Sequence, residues 1–145
     1  MNSKQFLFIG GAVLVLLAIL GWVGVIGPDA EHSVFGAAWV FDKYENWAHL
    51  VLGVVALIAG AAFPASVQKP LVMVVGLVAL FFGVYSAFGP VYEGKDFMGA
   101  MLQNPTDTVL HLVVGVWALV ASMQKGSAHH HAGFFCFSEK SFSVL

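Results

Sequence analysis

The chain has 145 residues, 59% hydrophobic and only 10% charged, with a net charge of −2 at pH 7 and a mean hydropathy of +0.87. Soluble domains are about a quarter charged, so this composition reads as a membrane protein. All the basic residues are lysines, which with a negative net charge excludes a nucleic-acid surface, and the single cysteine, Cys136, excludes an internal disulfide.

In chain order, the first apolar run extends from Phe6 to Gly27. Lys4 ahead of it resembles the start of a signal peptide. The run is too long for an h-region, however, and no small-x-small cleavage site follows, so it reads as a mature helix. Further runs cover Trp47 to Phe63, Leu71 to Gly89, and Thr108 to Met123. A bilayer core about 30 Å thick needs about 17 to 25 helical residues, so the first and third runs are comfortable and the other two short. Lipid-exposed strands would leave backbone groups unpaired, and the polar alternation of an outer-membrane barrel is missing. The expected fold is therefore all-α, with four transmembrane helices.

Lys4, Lys69 and Lys125 fall on one side of such a bundle, outside the runs, and the positive-inside rule makes that side cytoplasmic, with both termini. The opposite loops carry Asp29, Glu31, Asp42 and Glu45, then Glu93, Asp96 and Asp107. Trp39, Tyr44, Trp47 and Tyr92 sit near those boundaries like an aromatic belt. Each loop also holds an apolar patch, "VFGAAWVF" or "FMGAML", expected to form short helices or turns over the helix ends.

The organisation is a tandem repeat at an offset of 62. Residues 49 to 60 match 111 to 122 at eight of twelve positions, and the register carries Gly21 onto Gly83, Gly27-Pro28 onto Gly89-Pro90 and Asp42 onto Asn104. Two helix-loop-helix units, about 6–62 and 68–124, form a parallel repeat within a domain of residues 1–125.

The start of the second helix in each unit is polar. "DKYE" places Asp42 at an N-cap with Glu45 at N3, and "NPTD" places Asn104 at the cap, Pro105 at N1 and Asp107 at N3. Both resemble capping boxes with an acid at the positive end of the helix dipole. At 100° per residue, Glu45, His49, Gly53, Ala56 and Gly60 share one stripe, and Asp107, His111, Gly115, Ala118 and Ser122 repeat it. Small residues at that spacing let helices approach closely in lipid, so the histidines head a packing seam inside the bundle. They either pin the loops, bonding a carboxylate, a carbonyl or a hydroxyl such as Tyr85 or Ser86, or jointly hold a metal ion or haem.

"ENWAHLVLGVVAL" and "NPTDTVLHLVVGVWAL" resemble the hallmark segments of an uncharacterised bacterial family of four-helix membrane proteins. That family has Asn-x-x-His-Leu in helix 2 and Leu-His-Leu in helix 4. The likeness covers roughly residues 5 to 124. It implies the architecture and a bacterial inner membrane, and supplies no catalytic residues. Thr108 departs from the pattern, standing where the second segment would repeat Asn46.

The tail, residues 126–145, lies outside the repeat. Its His129 to His131 could bind a transition metal or belong to an artificial appendage. No nucleophile triad, phosphate loop or His-Glu-x-x-His motif is present. The expected function is a non-enzymatic structural or accessory subunit, with no cofactor, whose partners are the lipid bilayer and either further copies of itself or a larger membrane complex. A metal- or haem-binding protein using His49 and His111 is the alternative, followed by a small oligomeric transporter or channel.

Overall fold

The structure, a computed structural model, describes residues 1–89 and 105–124. Among the described residues, four α-helices make up the regular structure: α1 (Ser3–Trp22), α2 (Lys43–Ala62), α3 (Ala65–Phe88) and α4 (Thr106–Met123), with a short 3₁₀ turn at Gly36–Ala38. All four are long and apolar enough to cross a membrane. The second apolar patch, Asn104 and residues 126–145 lie outside the described residues.

Local chemistry sets the helix limits. α1 opens on a capping box in which the Asn2 side chain accepts from the Gln5 amide and Gln5 answers at the Asn2 amide, both at 3.0 Å. It closes earlier than the apolar run. Gly24 takes a left-handed φ of +81°, and the Val25 amide donates back to the Leu20 carbonyl at 3.0 Å, a Schellman-type ending that glycine permits. Val25 and Ile26 therefore leave the helix, and Ile26 turns inward to 1% exposure.

The α2–α3 connection is far tighter than expected, only Phe63 and Pro64, because α3 begins well before Leu71. Lys69 thus stands on a helix rather than in a loop. The cause is Gln68, whose Nε2 donates to the carbonyls of Ala59 (3.2 Å), Gly60 (3.2 Å) and Phe63 (2.8 Å). These are carbonyls at the C-terminus of α2, where the helix's own amide donors run out. A polar side chain in the first turn of one helix closes the last turn of its neighbour, so polar sequence enters the helix.

The helices pair as two antiparallel hairpins, α1 with α2 and α3 with α4, and α1 meets both helices of the second hairpin. Each hairpin closes on a pair of glycines. A methyl on Gly11 would lie 2.9 Å from the Gly53 carbonyl oxygen, and one on Gly76 would lie 3.0 Å from that of Gly115. Such contact is possible only without a side chain, and it replaces the hydrophobic drive that lipid removes. Gly53 and Gly115 are 62 residues apart, as are the starts of α1 and α3 at Ser3 and Ala65, but Gly11 and Gly76 are 65 apart. The second hairpin therefore crosses about one turn out of step with the first.

The two ends of the bundle differ. Phe6, Leu7, Ala59, Val72, Ala118 and Ala121 gather as a core where α1 and α3 begin, with Phe6 edge-on to Trp117 at 4.6 Å. Ser3 Oγ donates to the Ala121 carbonyl there, tying α1 to α4. The buried polar residues Glu45, Asn46 and Asp107 lie at the opposite end. Between them, large apolar residues of all four helices, among them Leu16, Val55, Leu77 and Val116, face outward.

Candidate polar site at the starts of α2 and α4

Asp42 Oδ1 accepts from the amides of Tyr44 (2.7 Å) and Glu45 (2.9 Å), and Glu45 Oε2 accepts from the Asp42 amide at 2.9 Å. This reciprocal cap fixes where α2 starts. One residue on, Asn46 is fully buried and its Nδ2 donates weakly to the Phe41 carbonyl at 3.5 Å. Its Oδ1 finds no hydrogen-bond partner among the described residues. Gly21 makes room for it, since a methyl there would overlap the Asn46 amide.

The loop leading to α2 folds back on the segment that follows α1. The Phe41 amide donates to the Ile26 carbonyl at 2.6 Å, the Val34 amide to the Val25 carbonyl at 3.0 Å, and Ser33 Oγ to the Trp39 carbonyl at 2.7 Å. This path lays Phe41 flat on His49, with centroids 4.7 Å apart and planes 19° from parallel. The apolar patch of this loop therefore supplies a short turn and an aromatic lid to one histidine.

α4 starts differently. Pro105 occupies the cap position, already with helical dihedral angles and no side-chain cap, and accepts the Val109 amide at 3.0 Å. Asp107 consequently stands at the second helical position rather than the third, because proline at the boundary enters the helix without an amide to satisfy. Asp107 is buried, at 1% exposure. His111 Nδ1 lies 2.8 Å from the Asp107 backbone carbonyl, to which it donates in the matching tautomer. Ser86 is not the imidazole's partner. Its hydroxyl pairs with Thr108 at 2.6 Å, joining α3 to α4.

His49 and His111 occupy the second turns of α2 and α4. They are not equivalent. His111 rests obliquely near Phe82, with centroids 5.9 Å apart, and has its backbone acceptor. The buried Nδ1 of His49 has no hydrogen-bond partner among the described residues. Those residues contain no group of three or more His, Cys, Asp or Glu placed to hold a metal ion. Below the histidines, Gly53, Gly60, Gly115 and Ala118 are buried, while Ala56 and Ser122 are half-buried.

The two hairpins also meet here by a long-range bond from Thr106 Oγ1 to the Ala38 carbonyl at 2.8 Å. Sequence reading did not single out Thr106, Phe41 or Gln68. A lone glutamine or threonine at a helix boundary carries little signal, and Phe41 looked like one more apolar loop residue. Asn46 had a clearer mark, an amide within an otherwise apolar stretch.

Farther out in the α1–α2 loop, Asp29 folds an exposed turn. Its Oδ1 accepts from the amides of Glu31 and His32 at 3.0 Å and from His32 Nδ1 at 2.7 Å. The imidazole contact holds the Asp29 carboxyl below its ordinary value of 3.8, and the same bond raises His32 above 6.5.

Comparison with models of known protein families, with curated proteins and with solved structures finds no match to this chain.

Proposed function

We propose that this protein is a small, non-enzymatic structural or accessory subunit of a bacterial inner-membrane assembly, working in the bilayer either as a homo-oligomer or beside other subunits. The observation that carries this reading is the use made of the polar groups at the starts of α2 and α4. Asp42 and Glu45 cap each other, Ser86 ties Thr108, His111 takes a backbone carbonyl, and Thr106 joins the second hairpin to the first. Groups so engaged hold a scaffold together. The outward apolar side chains along all four helices fit lipid or neighbouring subunits equally well.

The same reading includes a parallel duplication with both termini cytoplasmic and membership in the uncharacterised four-helix family. The 62-residue spacing of the helix starts and of Gly53 and Gly115 supports the duplication, and Lys4 and Lys69 at one end support the orientation. Purification in mild detergent tests the function: a colourless, metal-free protein whose native mass shows several copies or partner subunits is expected. A monomer with a stoichiometric chromophore or metal would overturn it.

One observation favours a second reading. The buried Nδ1 of His49 lacks a partner among the described residues, so with His111 in the corresponding turn of α4 the pair could take a metal ion or haem, with the two imidazoles as its ligands.

A further inference from the structure

At the end of the bundle opposite the histidines lies a partly open cleft of about 260 Å³, lined by residues that include Asn2, Lys4, Ala65, Gln68, Lys69 and Gln124. Two lysines from different hairpins border it, and Lys69 is half-buried. None of the lining residues is acidic. The described carboxylates, Asp29, Glu31, Asp42, Glu45 and Asp107, all belong to the α1–α2 loop or to the starts of α2 and α4. Among the described residues the sole ion pair is Asp29 with His32, far from both lysines.

The C-terminal caps of α2 and α4, Phe63 and Gln124, border the cleft too, but α3 brings a positive backbone end to it. α3 starts from Pro64 with no side-chain cap, unlike α1, whose first turn is closed by Asn2. The uncapped amides at Ala65 and Ser66 are the positive end of a 24-residue helix dipole, and Ala65 lines the cleft. Gln68 and Ser3, which also line the cleft, are uncharged and cannot cancel the charge of the lysines. Two ammonium groups, free helix amides and no carboxylate make a receptor for a phosphate. The cleft also sits at the tips of helices long and apolar enough to cross a membrane, where lipid headgroups would lie if they do.

We propose that this cleft binds the phosphate of an anionic lipid headgroup, held between Lys4 and Lys69 at the uncapped start of α3. The proposal goes beyond the accessory role and needs only that the helices cross a bilayer. The full chain is purified in a neutral detergent and titrated with phosphatidylglycerol, phosphatidylcholine or inorganic phosphate, with retained lipid counted by native mass spectrometry and melting temperature read in parallel. Phosphatidylglycerol should be retained and should raise the melting temperature, and phosphatidylcholine should be stripped. Lys4→Gln and Lys69→Gln should each weaken phosphatidylglycerol binding about fivefold, the equivalent of about 1 kcal/mol per lysine near an anionic surface. Lys43→Gln, at the other end, should leave it unchanged. Circular dichroism checks that each variant is folded. Equal retention of both lipids, or unchanged binding in both cleft variants, would overturn the proposal. Inorganic phosphate protecting as well as phosphatidylglycerol at equal concentration would reassign the cleft to a soluble anion and overturn the lipid assignment. Membrane fractionation separates these failures from loss of the membrane reading itself, and the native mass without added lipid reports independently on the accessory role.

Discussion

Gly11 and Gly53 hold the first hairpin together through the absence of side chains: a methyl on Gly53 would lie 2.8 Å from the Gly11 carbonyl oxygen and 2.9 Å from the Val15 amide. Backbone cannot swing aside as a side-chain tip can. Gly53→Ala should therefore push α1 and α2 apart and destabilise by about 1–3 kcal/mol, the usual range for overpacking. Gly60→Ala is the control on the same helix. The nearest atoms to its methyl would be those of the Leu7 and Phe8 side chains at 3.3–3.4 Å, so its loss should be clearly smaller. Melting temperatures in detergent decide it, and a Gly53→Ala protein as stable as Gly60→Ala would contradict the crossing.

Gly21 and Asn46 make a matched pair of the opposite kind, an empty position filled by a buried amide. Gly21→Ala alone should be strongly destabilising, because the methyl overlaps the Asn46 side chain. Adding Asn46→Ala removes both the overlap and an amide oxygen that has no partner among the described residues. The double variant should therefore be more stable than Gly21→Ala, a coupling of about 0.5–3 kcal/mol for residues in contact. Strictly additive losses in the thermal melts would show that the two do not touch.

Much of the fold was legible because lipid enforces simple rules. Runs of apolar residues must be helices, and the small residues Gly53, Gly60, Gly115 and Ala118 had to face inward for backbones to approach. The Asp42–Glu45 cap was also readable, since its signature is local. What escaped was decided across helices. The early end of α1 depended on Gly24 adopting a positive φ amid apolar residues that a hydropathy pattern runs straight through. The early start of α3 depended on Gln68 meeting carbonyls of α2. At the site, spacing placed both histidines on inward stripes but could not distinguish their surroundings. Phe41 over His49 and the Asp107 carbonyl under His111 come from a loop path and a rotamer choice.

Gln68 supplies a third prediction. Gln68→Leu keeps bulk but removes the donor shared by the carbonyls of Ala59, Gly60 and Phe63, of which Ala59 keeps a second donor, the Phe63 amide at 3.1 Å. Unsatisfied buried carbonyls cost about 1–3 kcal/mol, so the variant should be destabilised and hydrogen exchange at the last turn of α2 accelerated. Unchanged exchange there would show that water serves those carbonyls equally well.

The Asp29–His32 turn should respond to pH in a defined window. His32 is raised by its partner, so its contribution is complete below 6.5 and disappears as pH rises through the folded value. Asp29 is lowered, so its contribution is complete above 3.8 and disappears as pH falls through its folded value. The turn is thus best ordered between about pH 4 and 6.5. Both groups are more than half exposed, so a local signal is expected rather than a change in global stability. Titrating the His32 ring by nuclear magnetic resonance should give a raised midpoint, and Asp29→Asn should return it toward the ordinary value. A midpoint unaffected by Asp29→Asn would show that the contact does not persist in solution.

The remaining test concerns what the two histidines do, and their unequal surroundings make it sharper than a comparison of equal pins. If His49 only packs, its ring stack on Phe41 matters and its buried Nδ1 is a cost, so His49→Phe should be neutral or stabilising by up to about 1–3 kcal/mol. His111→Phe removes the bond to the Asp107 carbonyl and should destabilise by about 0.5–1.5 kcal/mol. His111→Asn can keep a donor near that carbonyl and should lose less. If the pair jointly holds a metal or haem, the order changes. Either phenylalanine substitution should then abolish binding and the stability that binding confers, and the second should cost little after the first. Melting temperatures of the two singles and the double, with metal content and absorbance measured on each, separate the cases. A stabilised His49→Phe alongside a weakened His111→Phe, in protein without metal or chromophore, would rule out the joint-ligand reading. Two equally damaging, non-additive substitutions with loss of a bound cofactor would rule out the packing one.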